Sequence, residues 1–183
     1  MKILQLAKYP PENNGGIEKL SRQLSESLSS DNFKVDILCF DEKRKSKIQV
    51  MYNYNVFKAR TLFKIGSAPF SFHNFYFFKK ISESYDCIHI HLPNPFVALY
   101  SLLIPSSYKI SLHFHCDVSN LKFYKFYRII EEKILKRADK IITTSSNLSN
   151  SDILKKYSNK IKILPLGLSS EDYVVPDEKY INN

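Results

Sequence analysis

Glycine is scarce in this chain: only four of its 183 residues are glycine, and two of them stand side by side at positions 15 and 16. The three cysteines, Cys39, Cys87 and Cys116, are odd in number and widely spaced, so buried free thiols are expected rather than a disulfide framework. No apolar run reaches the roughly 18 residues that cross a bilayer. A strand pattern starts at residue 2, which leaves no room for a secretory signal. These absences predict a cytoplasmic globular protein.

Two well-known sequence signatures are missing as well. The paired glycines do not form a GxGxxG pattern, which argues against a redox dinucleotide cofactor. No GxSxG elbow occurs anywhere, which argues against a Ser-His-Asp hydrolase. The sequence also contains no internal repeat and no low-complexity tract.

The overall composition is that of an ordinary globular chain, with 44% hydrophobic and 25% charged residues. Lysine and arginine exceed the acidic residues by 27 to 18, a net charge of +9. This excess favours an acidic partner such as nucleic acid, an anionic membrane surface or a phosphorylated substrate, without choosing among them. The one local basic run, at Lys43, Arg44, Lys45 and Lys47, is typical of a solvated loop.

Short apolar runs alternate with helical patterns along most of the chain, which predicts βαβ units. Strands are expected at 2–7, 34–40, 54–59, 86–91, 108–114, 139–143 and 160–164, and helices at 16–29, 72–84, 94–103, 120–137 and 146–157. The predicted fold is a doubly wound, Rossmann-like α/β domain whose parallel sheet of about seven strands carries helices on both faces. In such folds the ligand crevice lies at the carboxyl ends of the strands.

The loop at residues 8–18, KYPPENNGGIE, connects the first strand to the first helix. Gly15 and Gly16 lack a Cβ atom, so the backbone can adopt φ > 0 and approach a ligand closely, while the helix N-terminus faces negative charge. A tight turn without a ligand is the alternative explanation. In the helix that follows, the spacing of Ile17, Leu20, Leu24 and Leu28 predicts the buried face.

Four of the five histidines fall at two predicted strand ends, as His89-Ile90-His91 and His113-Phe114-His115. Residues two apart in a strand share a face, so each pair places one histidine deeper in the sheet and one at its rim. His89 and His113 are expected to be hydrogen-bonded core residues. His91 and His115 are the better candidates for contact with a substrate.

A zinc site is the sharper alternative for these histidines. The spacing His113-x-His115-x-Asp117 matches part of a metallohydrolase pattern, and two neighbouring His-x-His strands could supply several ligands. The pattern is incomplete, because Val118 stands where such enzymes continue with histidine. We therefore predict no metal and no other cofactor.

Five stretches in a fixed order resemble the N-terminal lobe of family 4 glycosyltransferases, which have the GT-B fold, and the resemblance covers essentially the whole chain. They are YPP at 9–11 with GGIE at 15–18, DCIHIHLPNP at 86–95, LHFHCD at 112–117, EKILKRADKI at 132–141 followed by TS at 144–145, and ILPLG at 163–167.

The resemblance implies a retaining, metal-independent transfer of a sugar from a nucleotide-sugar donor to a saccharide or lipid-linked acceptor, as in surface polysaccharide or glycolipid biosynthesis. His115 matches the family histidine beside the transferred sugar and is the catalytic candidate. The loop with Gly15 and Gly16 lies near the donor diphosphate. Acceptor contacts are implied for His91, Asn94, Asp117 and Ser145, although Ser145 equally suits a helix cap.

The family binds its donor mainly through a second lobe, with a basic pair and two glutamates separated by seven residues, and this sequence stops soon after Gly167, where the linker to that lobe is expected to start. We expect residues 1–168 to form the acceptor-side lobe and residues 169–183 to be a linker or tail. The leaving diphosphate would then lack most of its electrostatic stabilisation, so the isolated chain is expected to be inactive. The alternative is a non-enzymatic module of the same fold that binds a phosphate ligand or a partner.

A membrane partner and a nucleic-acid partner are further possibilities that the basic charge raises. The predicted helix at 120–137 interleaves basic residues with Phe123, Tyr124, Phe126 and Tyr127, a pattern compatible with peripheral contact with an anionic inner membrane face. An ordinary amphipathic helix with its aromatic residues in the core is the alternative. Because no nucleic-acid reading motif occurs, no nucleic-acid partner is predicted.

Overall fold

The computed structural model describes residues 1–30, 32–43, 45–118 and 124–167. The strands are β1 (Lys2–Leu6), β2 (Lys34–Asp41), β3 (Lys47–Val50), β4 (Asn55–Arg60), β5 (Phe63–Ile65), β6 (Ala68–Phe70), β7 (Cys87–Leu92), β8 (Lys109–Phe114), β9 (Lys140–Thr143) and β10 (Ile161–Ile163). The helices are α1 (Gly16–Leu28), α2 (Phe72–Ile81), α3 (Pro95–Ser101), α4 (Tyr124–Arg137) and α5 (Ser146–Ser149).

Eight strands form one sheet in the order β10-β9-β8-β7-β1-β2-β4-β3. All neighbours pair in parallel except the edge strand β3, which pairs antiparallel with β4. The order reverses between β1 and β7, which is the switch point at which ligands bind in doubly wound folds. The predicted Rossmann-like class and all seven predicted strands are confirmed, and β3 and the separate β5–β6 hairpin are additions.

The two faces of the sheet differ sharply in polarity. One face carries Leu4, Leu6, Ile88, Ile90 and Leu112 in a core cluster with side chains of α2, α3 and α4. The other face lies under α1, whose Ser21 and Ser25 bond to Gln5 of β1. Since adjacent strands are in register, Gln5 pairs with His89, and His91 pairs with His113. The helices therefore lie on both faces, and all four strand-end histidines share the face that α1 covers.

The predicted buried face of α1 is wrong. The buried residues of this helix are Glu18, Ser21 and Ser25, whereas Leu28 is 47% exposed. The apolar stripe therefore does not point at the sheet. The reason lies in β1, where the buried amide of Gln5 needs hydrogen-bond partners, and the backbone carbonyl of Ser21 and the hydroxyl of Ser25 accept from its nitrogen.

Several other segments differ from expectation. The pattern predicted as a helix over 146–157 forms only α5 followed by a short 3₁₀ segment, Lys155–Lys160. The predicted helix start at 120–123 lies outside the described residues. Lys43 and Lys45 form a bend as predicted, Lys47 opens β3, and Arg44 lies outside the described residues.

The three cysteines are free, as expected. Cys39 is buried, but Cys116 is exposed, so the expectation of burial holds for the first and fails for the last. No helix among the described residues is long and apolar enough to cross a membrane.

An ion pair fixes the loop at residues 8–18 against the sheet. Glu12 in the loop accepts a hydrogen bond from the ammonium group of Lys58 in β4, a side chain that is fully buried. Gln49 of β3 accepts a second bond from the same group at 2.7 Å. Because a buried ammonium must be paired, this contact holds the loop over the carboxyl ends of the strands.

Candidate functional site

The candidate site lies where β1, β7 and β8 end. The loop at 8–18 follows β1, Asn94 caps α3 two residues after β7, and residues 115–117 follow β8. His115 continues the pairing beyond β8, because its backbone N–H donates to the Leu92 carbonyl at 3.0 Å. This rung brings His115 alongside His91.

The four histidine rings form one contiguous cluster. The rings of His113 and His115 are stacked at 4.4 Å between centroids, and those of His91 and His115 at 5.3 Å. His89 stands at right angles to His91 at 4.9 Å. Only His115 is partly exposed among them. The expectation that His91 lies at an accessible rim is therefore wrong, since it is 1% exposed.

A chain of hydrogen bonds connects His115 to the interior. Nε2 of His115 lies 3.0 Å from Nδ1 of His91. Nε2 of His91 lies 2.8 Å from Oε1 of Gln5. The Gln5 amide nitrogen then donates to the Ser21 carbonyl at 2.9 Å and to the Ser25 hydroxyl at 2.8 Å. We call these residues the Gln5 chain.

Burial keeps the histidines neutral. It lowers the pKa of His89 and of His115 to about 3 and that of His113 to about 4, and it lowers the pKa of His91 well below its usual range. Neighbouring imidazoles contribute for His89, His91 and His115, because a second charge in the cluster would be repelled. At neutral pH each ring therefore has one N–H donor and one acceptor nitrogen.

A second polar cluster lies on the other side of His115, between α4 and the ends of β7 and β8. Its members are the buried side chains of Asn94, Tyr127 and Glu131. Among the described residues, the Asn94 amide has no hydrogen-bond partner, and the Tyr127 hydroxyl and the Glu131 carboxyl group make no well-formed bond although they interact with each other. We call these three residues the Glu131 cluster.

The charge state of the Glu131 cluster follows from its burial. Burial, with a smaller contribution from the charge of Asp117, raises the pKa of Glu131 to about 7. Burial also raises the pKa of Tyr127 above its usual range, and the Glu131 carboxylate adds to this effect. Asn94 is 0% exposed, so acceptor contact by its side chain requires a rearrangement and stays a prediction.

The glycine pair adopts ordinary backbone conformations, contrary to the expectation of φ > 0. Gly15 has φ −101° and ψ 151°, and Gly66 is the one glycine of the described ranges with positive φ. A Cβ atom on Gly15 would lie 1.9 Å from Oε2 of Glu18, so a larger residue there would displace the Glu18 carboxylate. A Cβ on Gly16 would meet nothing within 4 Å, which leaves that position open to a ligand.

Charged groups flank the glycine pair. Glu18 is buried at the first turn of α1, where a carboxylate is favoured by the helix dipole. Burial lowers the pKa of the Lys8 ammonium group, and the charge of Glu18 opposes this shift. Lys8 also lies within electrostatic reach of Cys116 after β8. A cation therefore stands in the crevice between the ends of β1 and β8.

The remaining predicted site residues are at the surface. The Ser145 hydroxyl accepts a hydrogen bond from the backbone N–H of Leu148 at 3.3 Å, so the capping role is confirmed. Asp117 is exposed beside Cys116. Acceptor contact by Asp117 or Ser145 stays a prediction.

Three histidines could in principle hold a metal ion, though not the set that the sequence suggested. One ring nitrogen from each of His89, His91 and His113 lies within 4.8 Å of the others. Both ring nitrogens of His91 are already within hydrogen-bond distance of Gln5 and His115, and Nδ1 of His89 is 2.6 Å from the Ser111 hydroxyl. A metal bound to His91 would have to break one of these contacts.

Sequence reasoning missed Gln5, Glu131 and Lys8. Gln5 carries the clearest signal, because a polar residue interrupts the apolar run of a strand that is buried on both faces. Glu131 lies within an ordinary charged helix pattern, so nothing in the sequence marks its burial. Lys8 was recognised only as the first residue of the loop.

Comparison with curated proteins finds two similar relatives. The chain is 31% identical over 175 residues to the O-antigen chain mannosyltransferase C of Escherichia coli, covering 94% of this chain and 47% of the relative. It is 28% identical over 179 residues to the D-rhamnosyltransferase WbpZ of Pseudomonas aeruginosa, covering 96% of this chain and 47% of the relative. The chain thus spans about half the length of each.

The chain also matches about half the length of solved structures that have a similar fold. A sucrose-phosphate synthase of Thermosynechococcus elongatus matches with a TM-score of 0.68 at 16% identity, over 91% of this chain and 48% of that one. Anabaena Alr3699/HepE, solved with UDP and glucose, matches with a TM-score of 0.63 at 14% identity, over 92% and 45%. The family model of glycosyltransferase family 4 matches residues 14–172. This chain therefore belongs to glycosyltransferase family 4.

Proposed function

We propose that the chain is the acceptor-side, N-terminal part of a retaining glycosyltransferase that transfers a sugar from a nucleotide-sugar donor to a saccharide or lipid-linked acceptor in polysaccharide or glycolipid biosynthesis. The observation that carries the proposal is the family match over residues 14–172, together with relatives named as an O-antigen mannosyltransferase and a rhamnosyltransferase. Residues 1–168 would form the lobe, and residues 169–183 would lead towards the donor-binding part.

The proposed catalytic group is His115. It is the partly exposed member of the histidine cluster, and it follows β8, which pairs with β7 next to the switch point of the sheet. A neutral imidazole at this place can orient a hydroxyl of the transferred sugar without adding a charge. His91 would act on the substrate through His115, since its own ring nitrogens are engaged within the cluster.

The proposed donor-phosphate contact combines Gly15, Gly16 and Lys8. The N-terminus of α1 faces the crevice with unpaired backbone donors, the space beside Gly16 is open, and Lys8 supplies a positive charge. Glu18 occupies part of this place and would have to turn aside when a diphosphate binds. Lys64 lies within electrostatic reach of Lys8, but its ammonium group is paired with Glu42, which supports our proposal that the isolated chain does not turn over.

Metal independence is part of the proposal. The two contacts of His91 support it, because an ion shared by His89, His91 and His113 would have to break one of them. Nε2 of His89 and both ring nitrogens of His113 have no partner among the described residues, so the point needs a direct measurement. Metal analysis of the purified chain tests this point. We expect no stoichiometric zinc, and one zinc per chain would contradict the proposal.

The direct test of function compares this chain with a polypeptide that also carries the expected donor-binding half. A panel of nucleotide sugars with a lipid-linked saccharide acceptor should give product with the longer polypeptide and none with residues 1–183. Product from the shorter chain would contradict the expected inactivity. Failure of the longer polypeptide with every donor, while it binds nucleotide, would favour a binding module.

Peripheral membrane contact is the finer part of the partner proposal. On α4 the exposed side chains Phe126 and Ile129 stand among the exposed lysines Lys125, Lys133 and Lys136, a pattern that suits an anionic bilayer surface. Vesicle sedimentation tests it: the chain should pellet with anionic vesicles and be released by salt. Phe126→Ser should weaken binding, whereas equal pelleting with neutral vesicles would contradict an electrostatic contribution.

A further inference from the structure

The Gln5 chain fixes which nitrogen of each histidine carries the proton. The starting point is the Gln5 side chain, whose amide group has two possible orientations. One of its terminal atoms lies 2.9 Å from the backbone carbonyl oxygen of Ser21, which can only accept a hydrogen bond. That atom must be the nitrogen, so the other terminal atom, which faces His91, is the oxygen.

The assignment then passes from ring to ring. The Gln5 oxygen accepts, so Nε2 of His91 at 2.8 Å must carry a proton. A neutral imidazole has only one N–H, so Nδ1 of His91 is an acceptor. Nε2 of His115, 3.0 Å away, must therefore be the donor.

The last member of the chain is the one that can meet a ligand. With its proton on Nε2, neutral His115 has an unprotonated Nδ1. This nitrogen is not among the buried polar atoms without a partner, and within the described residues no hydrogen bond reaches it. Since His115 is partly exposed, its Nδ1 is the acceptor that the cluster presents to the crevice.

We propose that Gln5 is a positioning residue that sets the tautomer of His115, so that the histidine offers a substrate hydroxyl an acceptor nitrogen rather than an N–H donor. The geometric part of this inference needs no substrate. Its consequence for transfer rests on the proposed function. Gln5 touches no substrate itself and acts through His91.

The burial of Gln5 supports a positioning role over simple packing. Gln5 is 1% exposed in a strand whose neighbours Leu4 and Leu6 are fully buried hydrophobic residues. An aliphatic residue would fill the same space without needing partners. Two serines of α1 face the sheet to hold the amide nitrogen, and the apolar side of that helix is turned away. The helix orientation thus serves the same hydrogen-bond chain.

The near-isosteric change Gln5→Met removes the acceptor for His91. A buried N–H without a partner is costly, so His91 should move its proton to Nδ1 and donate to His115. The proton of His115 would then have to move to Nδ1. Both histidines then have the opposite tautomer, and Nδ1 of His115 presents an N–H donor to the crevice in place of an acceptor.

The matched variants separate this effect from loss of packing. Ser25→Ala removes one hydrogen bond from Gln5 but leaves the Ser21 contact that fixes the amide, so the tautomers should not change. Gln5→Glu keeps an acceptor oxygen towards His91 and should keep the proton of His115 on Nε2. If Gln5→Met fails to fold, the tautomer of the wild type still tests the assignment.

The test is long-range ¹H–¹⁵N correlation NMR of the histidine rings in the 183-residue chain at neutral pH, where protonated and unprotonated ring nitrogens have well-separated ¹⁵N shifts. We expect Nε2–H for His115 in the wild type, Ser25→Ala and Gln5→Glu, and Nδ1–H in Gln5→Met. An Nδ1–H wild type, or a Gln5→Met variant that keeps Nε2–H, would overturn the inference.

A kinetic measurement tests the consequence for transfer. In a longer polypeptide with transferase activity, Gln5→Met should lower kcat/KM by at least about tenfold, because a substrate donor would meet a second donor, while Ser25→Ala stays within twofold. An inverted tautomer with unchanged kcat/KM would overturn the positioning role. Absence of transfer by the unmutated polypeptide would refute the proposed function and leave the NMR result intact.

Discussion

The two polar clusters beside His115 are built in opposite ways. In the Gln5 chain, each buried polar group meets a partner at 2.8–3.0 Å. In the Glu131 cluster, the buried amide has no hydrogen-bond partner in the described part of the chain, and the buried hydroxyl and carboxyl group interact with each other without a well-formed hydrogen bond. The first is a preorganised support for His115. The second is a place where burial of polar groups costs free energy, which is typical of functional sites that await a ligand or a rearrangement.

The largest expected effect concerns the charge of Glu131. Its folded-state pKa of about 7 lies above the usual 4.5, so the folded chain binds the proton more tightly than the unfolded chain. The stability of the wild type should therefore fall as pH rises from 4.5 to 7, by about 3 kcal/mol in total. Glu131→Gln should remove this loss. Urea unfolding at pH 5 and pH 8 measures it, and equal pH dependence in both proteins would place the carboxyl in a polar environment.

The next prediction compares the two buried amides directly. Gln5→Met leaves partners of the Gln5 chain unpaired and should lower the free energy of unfolding by about 2 to 3 kcal/mol. Asn94→Ala removes a buried amide that has no side-chain partner among the described residues, so it breaks no hydrogen bond and should lower the free energy of unfolding by less than Gln5→Met does. The two variants are measured side by side by urea unfolding at neutral pH. If both variants lose the same free energy of unfolding, the Asn94 amide has hydrogen-bond partners, and the two clusters do not differ in this respect.

The histidine cluster should respond to pH in the opposite direction from Glu131. The folded-state pKa of His113 is lowered to about 4 from 6.5, so its contribution is complete above pH 6.5 and is lost as pH falls towards 4. Between pH 7 and pH 5 this amounts to about 2 kcal/mol. His113→Phe should remove that part of the acid sensitivity, as read from unfolding midpoints. If the variant loses as much stability as the wild type between pH 7 and pH 5, His113 is protonated or solvated in the folded chain.

The smallest effect is expected at Ser145, which lies at the same edge of the sheet but outside both clusters. Ser145→Ala removes one capping hydrogen bond from a single-turn helix and should cost about 1 kcal/mol or less. The substitution should not change how the free energy of unfolding depends on pH. In a polypeptide active in transfer, an increase in the acceptor KM beyond this small loss of stability would add an acceptor contact to the capping role.

The strands were predictable because parallel strands buried on both faces are continuous apolar runs. The short strands β3 and β5 were not, because their alternating runs KIQV and FKI are only four and three residues long and their side chains are mostly exposed. The orientation of α1 was mispredicted because the spacing of its hydrophobic residues indicates a buried face that does not contain Ser21 and Ser25. Only the buried Gln5 on a distant strand explains why those serines face the sheet.

The position of the candidate site on the sheet could be predicted from the sequence, but the burial of its side chains could not. The sequence predicted that the strand-end histidines and the loop with Gly15 lie at the carboxyl ends of the strands, and the structure has them at that edge of the sheet. Whether a histidine lies at a rim depends on the next rung of strand pairing, and that rung buries His91 while leaving His115 partly exposed. The Glu131 cluster arises from packing of α4 against two loops, a tertiary contact that no local pattern encodes.

The most direct test of the whole account is the activity of His115→Ala in a polypeptide that carries the donor-binding half. The account predicts that nucleotide-sugar binding changes by less than twofold while kcat for transfer falls about 100-fold or more, as for loss of one preorganised contact to the transition state. The unfolding midpoint provides the control for folding. Transfer at the wild-type rate by a folded His115→Ala variant would contradict the central role assigned to this histidine.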